Sequence, residues 1–412
     1  METRRLDELC VQITDCPHST PQWLSSGKLV LRNFNIHNGR IDLSNVSYTD
    51  DETFFARNKR ATPIPGDIVM SREAPMGEVA IIPNGFECCL GQRMVLLHPD
   101  TTVCNGKFLM YSLLSPFVQK QIKRSDTTGS VVSNLCIPDL CALEIPYVNI
   151  ERQECIVALL SDIDSQIDNN NAIAAELEGM AKDLYDYWFV QFDFPDENGK
   201  PYKSSGGKMV WNEELKRELP EGWEARKLGQ IFNKILDGIS PLQKGELPYT
   251  PMDCLPSKKM SFGGTFDNTE ASSSLIKYRA GDVLFGAMRA YFHRVCIAPF
   301  DGITRTTTFV LRPQKSHLLG FAYETINQDI AVEYASKHSV GTQQPYAEWE
   351  NSFASFKFAM PPEELALKYS KIIAPSIKMV CYCMSENAEL TSLRDFLLPM
   401  LMNGQVKVKG VS

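Results

Sequence analysis

The amino-acid sequence predicts an α+β chain: two globular units of mixed, mostly antiparallel sheet with helices, each followed by a long helix, the two long helices pairing with one another. Three observations carry this reading. A seven-residue apolar period runs from Ile150 to Trp188. A comparable pattern returns 213 residues later, from Tyr369 onward. Short strings also recur in the same order within the two remaining blocks.

Residues 1–146 form the first block. Runs such as Asp67-Ile-Val-Met and Glu78-Val-Ala-Ile-Ile are punctuated by Gly, Pro and Asn, with no helical period of any length between them. Such spacing favours antiparallel strands over a doubly wound sheet.

Residues 147–190 form the first long helix. Ile156, Ile163, Asn170, Leu177 and Leu184 recur every seven positions, with Leu159, Gln166, Ile173, Met180 and Tyr187 as the second series. That is a heptad seam in need of a partner. Asn170 within it is either an exposed site or a buried polar residue that fixes register. Tyr187, Trp188 and Phe189 read as a hydrophobic plug onto a neighbouring domain. The stretch 147–200 holds 3 Lys+Arg against 12 Asp+Glu, so it carries more than the whole chain's net charge of −8. Asp162, Asp164, Asp168, Glu176 and Glu178 supply much of it.

Residues 191–222, rich in Pro, Gly, Ser and charge, read as a linker. Residues 223–362 form the second block, which repeats the first. Arg5-Leu6 answers Lys227-Leu228, and Gly66-Asp67-Ile-Val answers Gly281-Asp282-Val-Leu. Leu96-Leu-His98-Pro answers Val310-Leu-Arg312-Pro, and Gly129-Ser130 answers Gly341-Thr342. Residues 363–402 form the second long helix. Its series are Tyr369, Ser376, Cys383, Leu390, Leu397 and Ile372, Met379, Glu386, Leu393, Met400. Ile156, Ile163, Asn170, Leu177 and Leu184 are expected to pair with Ile372, Met379, Leu390, Leu393 and Leu397. Pro375 marks a kink or a late start, and residues 403–412 a tail.

The 412 residues, with a pI near 5.4, exclude binding of polyanions through overall charge, although each near-neutral block can still carry a basic face. Twelve irregularly placed cysteines without a Cys-x-x-Cys pair point to reduced thiols and away from zinc. No apolar run opens the chain and none reaches 18 residues, which points to a cytoplasmic protein. Gly206-Gly-Lys208-Met fails as a phosphate loop, and neither His-Glu-x-x-His nor Gly-x-Ser-x-Gly occurs, so no catalytic or metal site is expected.

Cations do stand beside amides, hydroxyls and aromatics in loop-like segments. In the first block these are Arg57, Lys59, Arg60, Gln92, Arg93, Lys123, Arg124, Ser130 and Asn134. In the second they are Lys258, Lys259, Arg289, Tyr291, His293, Arg294, Arg305, Gln343, Gln344 and Tyr346. Lys and Arg neutralise phosphates, Arg pairs with guanine, and Asn or Gln with adenine, so these are the candidate DNA contacts. The competing reading is solvated surface. A coiled-coil adaptor that binds proteins, or a nuclease with dispersed carboxylates, would share the same pattern.

The junction strings narrow this. Tyr185-Asp-Tyr-Trp-Phe-Val-Gln-Phe-Asp-Phe-Pro, then Gly199-Lys-Pro-Tyr-Lys-Ser-Ser-Gly-Gly-Lys-Met-Val-Trp-Asn-Glu-Glu-Leu and Leu219-Pro-Glu-Gly-Trp223, resemble the central region of the specificity subunits of type I restriction-modification enzymes. The resemblance spans essentially the whole chain. It implies two target-recognition domains, each reading half of a bipartite, asymmetric double-stranded DNA sequence. It also implies that the long helices form an antiparallel coiled coil, a spacer that docks two methylation subunits, with endonuclease/translocase subunits joining them. Catalysis, S-adenosylmethionine, ATP and magnesium would then belong to those partners, in the prokaryotic cytoplasm.

Overall fold

A computed structural model of the chain describes residues 2–124, 134–350 and 352–406. It divides into two compact units, residues 1–164 with 392–412 and residues 165–391, so each long helix contributes one part to each unit.

The first unit begins with β1 (Thr3–Arg5) and β2 (Cys10–Asp15), continues through β3 (Ile68–Ser71), β4 (Val79–Ile81) and β5 (Met94–Pro99), and closes with β6 (Glu144–Pro146). The central sheet runs β2-β5-β3-β4, antiparallel throughout, while β1 pairs with β6. A side sheet packs Lys28–Leu31 parallel to Cys89–Leu90 and antiparallel to Ser47–Thr49. Two helices cover the central sheet: α1 (Gly106–Leu114), capped by the Asn105 side chain, and α2 (Pro116–Arg124).

The second unit repeats this plan. β7 (Glu224–Lys227), β8 (Phe232–Lys234), β9 (Val283–Gly286), β10 (Val295–Ile297), β11 (Thr308–Pro313) and β12 (Lys357–Met360) give a sheet β8-β11-β9-β10, with β7 paired to β12. The duplicated aspartates occupy matching places. Buried Asp67 accepts from Ile64 N at 3.0 Å and pairs with His98, while buried Asp282 accepts from Arg279 N at 2.8 Å and holds Arg312 through two bonds of 2.7 and 2.8 Å. One carboxylate per unit thus ties the turn before the second sheet strand to the fourth. Gly129-Ser130 lies outside the described residues.

Helix α3 (Ile150–Tyr185) runs 36 residues, and after α4 (Leu319–Asn327) and α5 (Asp329–Lys337) helix α6 (Glu363–Met402) runs 40, passing through Pro375 without interruption and without a late start. In the first unit, Ile156 and Leu160 of α3 share a core with Leu398 and Leu401 of α6. In the second, Ala174, Ala181 and Tyr185 share one with Ala366, Tyr369, Ile373, Ile377 and Val380. Early α3 meets late α6 and late α3 meets early α6, which is antiparallel pairing.

The seam differs from the expected one in a definite way. Ile156, Ile163 and Asn170 are buried, and Leu177 and Leu184 are partly buried against the core. The second series is displaced by one residue, to Leu160, Ile167, Ala174, Ala181 and Trp188. Ile173, Met180 and Tyr187 face solvent. On α6 the expected Tyr369 and Cys383 are buried, but in the second series burial falls one residue later, on Ile373 and Val380, so Ile372, Met379 and Leu393 stand outside the seam, exposed; Leu390 and Leu397 are half-buried. A seven-residue period is equally compatible with +3 or +4 as the second step, and the rotation of the helix against its neighbours decides between them.

Residues 191–222 are more than a linker. Met209–Asn212 and Arg217–Pro220 form a hairpin, and Phe192, Leu219 and Trp223 enter the core of the second unit. The π-helical turn Asp186–Val190 that ends α3 lets Trp188 and Phe189 both turn inward. Phe189 then meets Tyr369 at 5.2 Å and Phe321 at 5.0 Å between ring centroids. Tyr187 stays exposed at the rim.

A polar layer interrupts the seam. Asn170, 3% exposed, donates to Glu386 Oε2 at 2.7 Å and Asn387 Oδ1 at 3.0 Å, and Asn387 donates to Asn171 Oδ1 at 2.9 Å. Asn170→Ala strands those acceptors and costs about 1–3 kcal/mol; Asn170→Asp, which sets a carboxylate against Glu386, costs more. Circular-dichroism melting orders wild type above Asn170→Ala above Asn170→Asp, and equal melting temperatures would remove the layer's role.

A second prediction concerns Glu324 on α4. Burial pushes its carboxyl up to about 8 from an ordinary value of 4.5, and its Oε2 has no hydrogen-bond partner among the described residues. The folded group keeps its proton where the unfolded one has lost it, so stability is full below pH 4.5 and declines as pH rises towards 8. Glu324→Gln flattens that decline; recovery of about 2 kcal/mol at pH 8 raises Tm by roughly 4–8 °C. An unchanged pH profile would count against the burial argument.

Candidate nucleic-acid interface

In the second unit three chain segments meet just beyond the end of β9. Ala287 N donates to Thr307 O at 2.9 Å, and Ala347 N donates to Ala287 O at 2.8 Å. Arg289 N donates to Pro345 O at 2.7 Å, and the Tyr346 hydroxyl donates to Thr306 O at 3.0 Å. These bonds gather Arg289, Tyr291, Arg305, Gln343, Gln344 and Tyr346 on one edge. Arg305, Gln343, Gln344 and Tyr291 are exposed there, and Arg289 and Tyr346 half-buried. Burial, then Glu350 and Glu348, raise the Tyr346 phenol above its ordinary value, which keeps it a neutral donor.

The backbone of this edge is unusual. Arg289 has φ +53° and His293 φ +51°, both left-handed, flanking the short 3-10 turn Ala290–Phe292. An L-residue holds such a conformation only where its surroundings over-determine it, and here they do. Arg289 is fixed by Pro345, and Lys258 N donates to His293 O at 2.9 Å.

Other candidates brace the edge. His293, 7% exposed, bonds to Asn327 O at 3.0 Å and lies 3.3 Å from Asp329, so it is an anchor buried away from any ligand. Arg294 donates to Met252 O at 2.7 Å and pairs with Asp253 at 3.1 Å. Lys258 pairs with Asp329 at 3.1 Å and Lys259 with Glu178 at 3.4 Å. By contrast, among the described residues neither Arg289 nor Arg305 has a carboxylate within ion-pair distance: Arg289 donates to Gln343 O at 3.4 Å and Arg305 to Ser273 Oγ at 3.2 Å.

The first unit builds the same frame with different side chains. Arg72 N donates to Arg93 O at 2.8 Å and Leu135 N to Arg72 O at 3.1 Å, the counterparts of the two Ala287 bonds. Ala74, with φ +43°, stands where Arg289 stands in the repeat. This frame gathers Gln92, Arg93 and Asn134. Gln92 donates to His18 O, Arg93 pairs with Glu73 at 3.2 Å, and Asn134 Oδ1 accepts from Arg72 at 3.3 Å. Ser130 lies outside the described residues.

The remaining candidates are placed elsewhere. Arg57 is buried and spends its guanidinium on Leu90 O, Ser19 O and Pro17 O at 2.7, 2.9 and 3.0 Å, so it holds loops together and offers DNA nothing. Lys59 and Arg60 follow the helix Asp51–Asn58, exposed, with Gln12 of β2 donating to Arg60 O at 3.4 Å. Lys123 and Arg124 end α2. Sequence reasoning missed Arg72, whose buried guanidinium joins Asp15, Leu135 O and Asn134 and so orients the Asn134 amide. No local pattern marks it, since its partners are 57 to 63 residues away.

Comparison with known proteins agrees with this architecture. Residues 1–179 match the family model of the type I restriction modification DNA specificity domain. The type I restriction enzyme MjaIX specificity subunit of Methanocaldococcus jannaschii is 26% identical over 367 residues, spanning 84% of this chain and 78% of its own length. The HindI specificity subunit of Haemophilus influenzae is 20% identical over 400 residues, spanning 83% of this chain and 86% of its own. The crystal structure of the type I restriction-modification system S subunit from M. genitalium superposes with a TM-score of 0.58 at 20% identity, covering 97% of this chain and 95% of that one, which shows a shared fold. The specificity-domain model is matched over residues 1–179 and the relatives aligned along most of the chain are type I restriction enzyme specificity subunits, so the chain is similar to that family and shares its fold.

Proposed function

We propose that this chain is the DNA sequence-recognition subunit of a type I restriction-modification complex in a prokaryotic cytoplasm, each unit reading one half of a bipartite, asymmetric target. The observation that carries this is the shared turn. Two units with one hydrogen-bond frame present different polar side chains from it, as expected of a scaffold whose loops choose bases. The paired helices set the gap between half-sites; 36 and 40 residues at 1.5 Å each amount to roughly 55–60 Å of rod, ample for a helical turn of about 34–36 Å. Their outward faces dock two methylation subunits, and endonuclease/translocase subunits join that assembly. The chain itself is non-catalytic; S-adenosylmethionine, ATP and magnesium serve the partners.

The acidity of 147–200 favours a helix face turned towards proteins, since phosphates repel it. Met180, Ile372, Met379 and Phe396 are exposed apolar residues on the rods, suited to contact with another protein. Asp164 is not part of that face. It accepts from Tyr111 and, at 3.0 Å, from Arg394, within the first unit.

Two expected outcomes test this reading. Arg289→Ala with Arg305→Ala lowers affinity for the target duplex about 10–100-fold, and binding of the wild-type chain falls steeply with salt as counterions are released. Adenine-methylation mapping of cells with and without the gene reads the motif; unaltered binding and methylation would refute the assignment of these two arginines. Asp162→Lys lowers recovery of the assembled complex in co-purification while Tm stays unchanged, whereas Asp164→Lys lowers Tm itself. A normal complex from Asp162→Lys would move the docking face elsewhere.

A further inference from the structure

Beside the polar edge of the second unit stand two aromatic rings that the reading of bases by hydrogen bonds does not use. Tyr291 and Phe292 are 53% and 41% exposed, with ring centroids 4.8 Å apart. Large rings are normally buried, and here they project from a turn built to keep them out. Ala290 is packed in the core, Gly286 N donates to Arg294 O at 2.8 Å to close the loop, and the left-handed Arg289 and His293 fix its two ends. The Arg294 guanidinium sits 5.5 Å from the Phe292 ring centroid and is itself held by Met252 O and Asp253, so the ring is braced from one side. A turn this constrained pays little ordering entropy when it meets a ligand.

What surrounds the rings identifies their partner. Arg289 and Arg305, without carboxylate partners among the described residues, lie on the same edge, as do the amides of Gln343 and Gln344. An apolar tip on an edge that carries two arginines without carboxylate partners among the described residues suits a stacked, polyanionic ligand better than a protein core. The matching turn of the first unit, Ala74 to Gly77, carries no aromatic residue, and its Met76 is packed against the core.

We propose that Tyr291 and Phe292 form a stacking wedge that enters duplex DNA at one base step of the half-site read by the second unit, so that selectivity there depends partly on how readily that step unstacks. This rests on the DNA-reading function proposed above. Pyrimidine–purine steps open most easily and are the favoured point of entry. The matching turn of the first unit carries no such pair among the described residues, so no wedge is assigned to the first half-site.

The test uses the full chain and the duplex motif it enriches from a randomised pool, with 2-aminopurine placed singly along both half-sites. Wild type brightens the probe at one step of the second half-site only. Tyr291→Ala with Phe292→Ala abolishes that signal and lowers affinity about 10–100-fold, while the slope of log affinity against log salt is unchanged because no phosphate contact is lost. Tyr291→Phe keeps the signal. Should the double alanine variant not fold, Tyr291→Leu with Phe292→Leu retains apolar bulk without a stacking face, and the same loss of signal is expected. Tight, specific wild-type binding with no brightened position overturns the wedge and leaves DNA reading intact. Loss of partner subunits on co-purification with DNA binding unchanged also overturns it, by making the rings a protein contact. If the chain enriches no motif at all, the DNA-reading function falls, and the wedge with it.

Discussion

The apolar seam of the two long helices is the constraint on which everything else depends. A helix of 36 or 40 residues cannot hide its apolar stripe on itself. Each rod meets the other, and at each end it also joins the core of a sheet-and-helix body. The consequence is mechanical. Ile156 and Leu398 belong to one core, and Ala181 and Tyr369 to another, so every body is fused to a length of both rods. Tyr369 donates its hydroxyl to Ala181 O at 2.8 Å, so even the aromatic contact in this seam carries a directed bond.

Burial on this scale tolerates little ambiguity of register, and the polar layer at Asn170 removes it. A wholly apolar seam pairs acceptably at several offsets, because sliding by a heptad replaces one aliphatic contact with another. An amide facing a carboxylate and a second amide has one satisfactory position. The same logic of satisfied buried polar groups governs the bodies. Asp67 and Asp282 occur in both copies, while their partners, His98 and Arg312, have diverged within one geometry. The duplication therefore preserved the frame more closely than the side chains hung on it.

The proposed recognition rests on that separation of frame and decoration. The turn after the second sheet strand is clamped by backbone bonds in both units, and backbone bonds do not depend on which side chain occupies the turn. Positions such as Arg289, Arg305, Gln343 and Gln344 are thus free to vary chemically without loss of fold. Others in the same strings are not. His293 and Arg57 read as surface cations by composition, yet each is buried and bonded to backbone carbonyls that distant segments of the chain present. A motif of charged residues does not separate a group that meets a ligand from one that ties two loops together, because the difference lies in partners tens of residues away.

The amino-acid sequence by itself determined the tandem order of body and rod, the antiparallel character of the short strands and the heptad on which the rods are built. These are encoded in local periodicity and repetition, and each needs only neighbouring residues to be read. Tertiary structure alone decided which flank of the heptad is buried, that 191–222 folds into the second body, and which cations reach the exposed edge. The physical reason is common to all three. Seven-residue periodicity leaves the helix's rotation open by one position, Pro- and Gly-rich strings fold or extend according to the apolar surface nearby, and a guanidinium is a ligand contact or a brace according to where the nearest unsatisfied carbonyl lies.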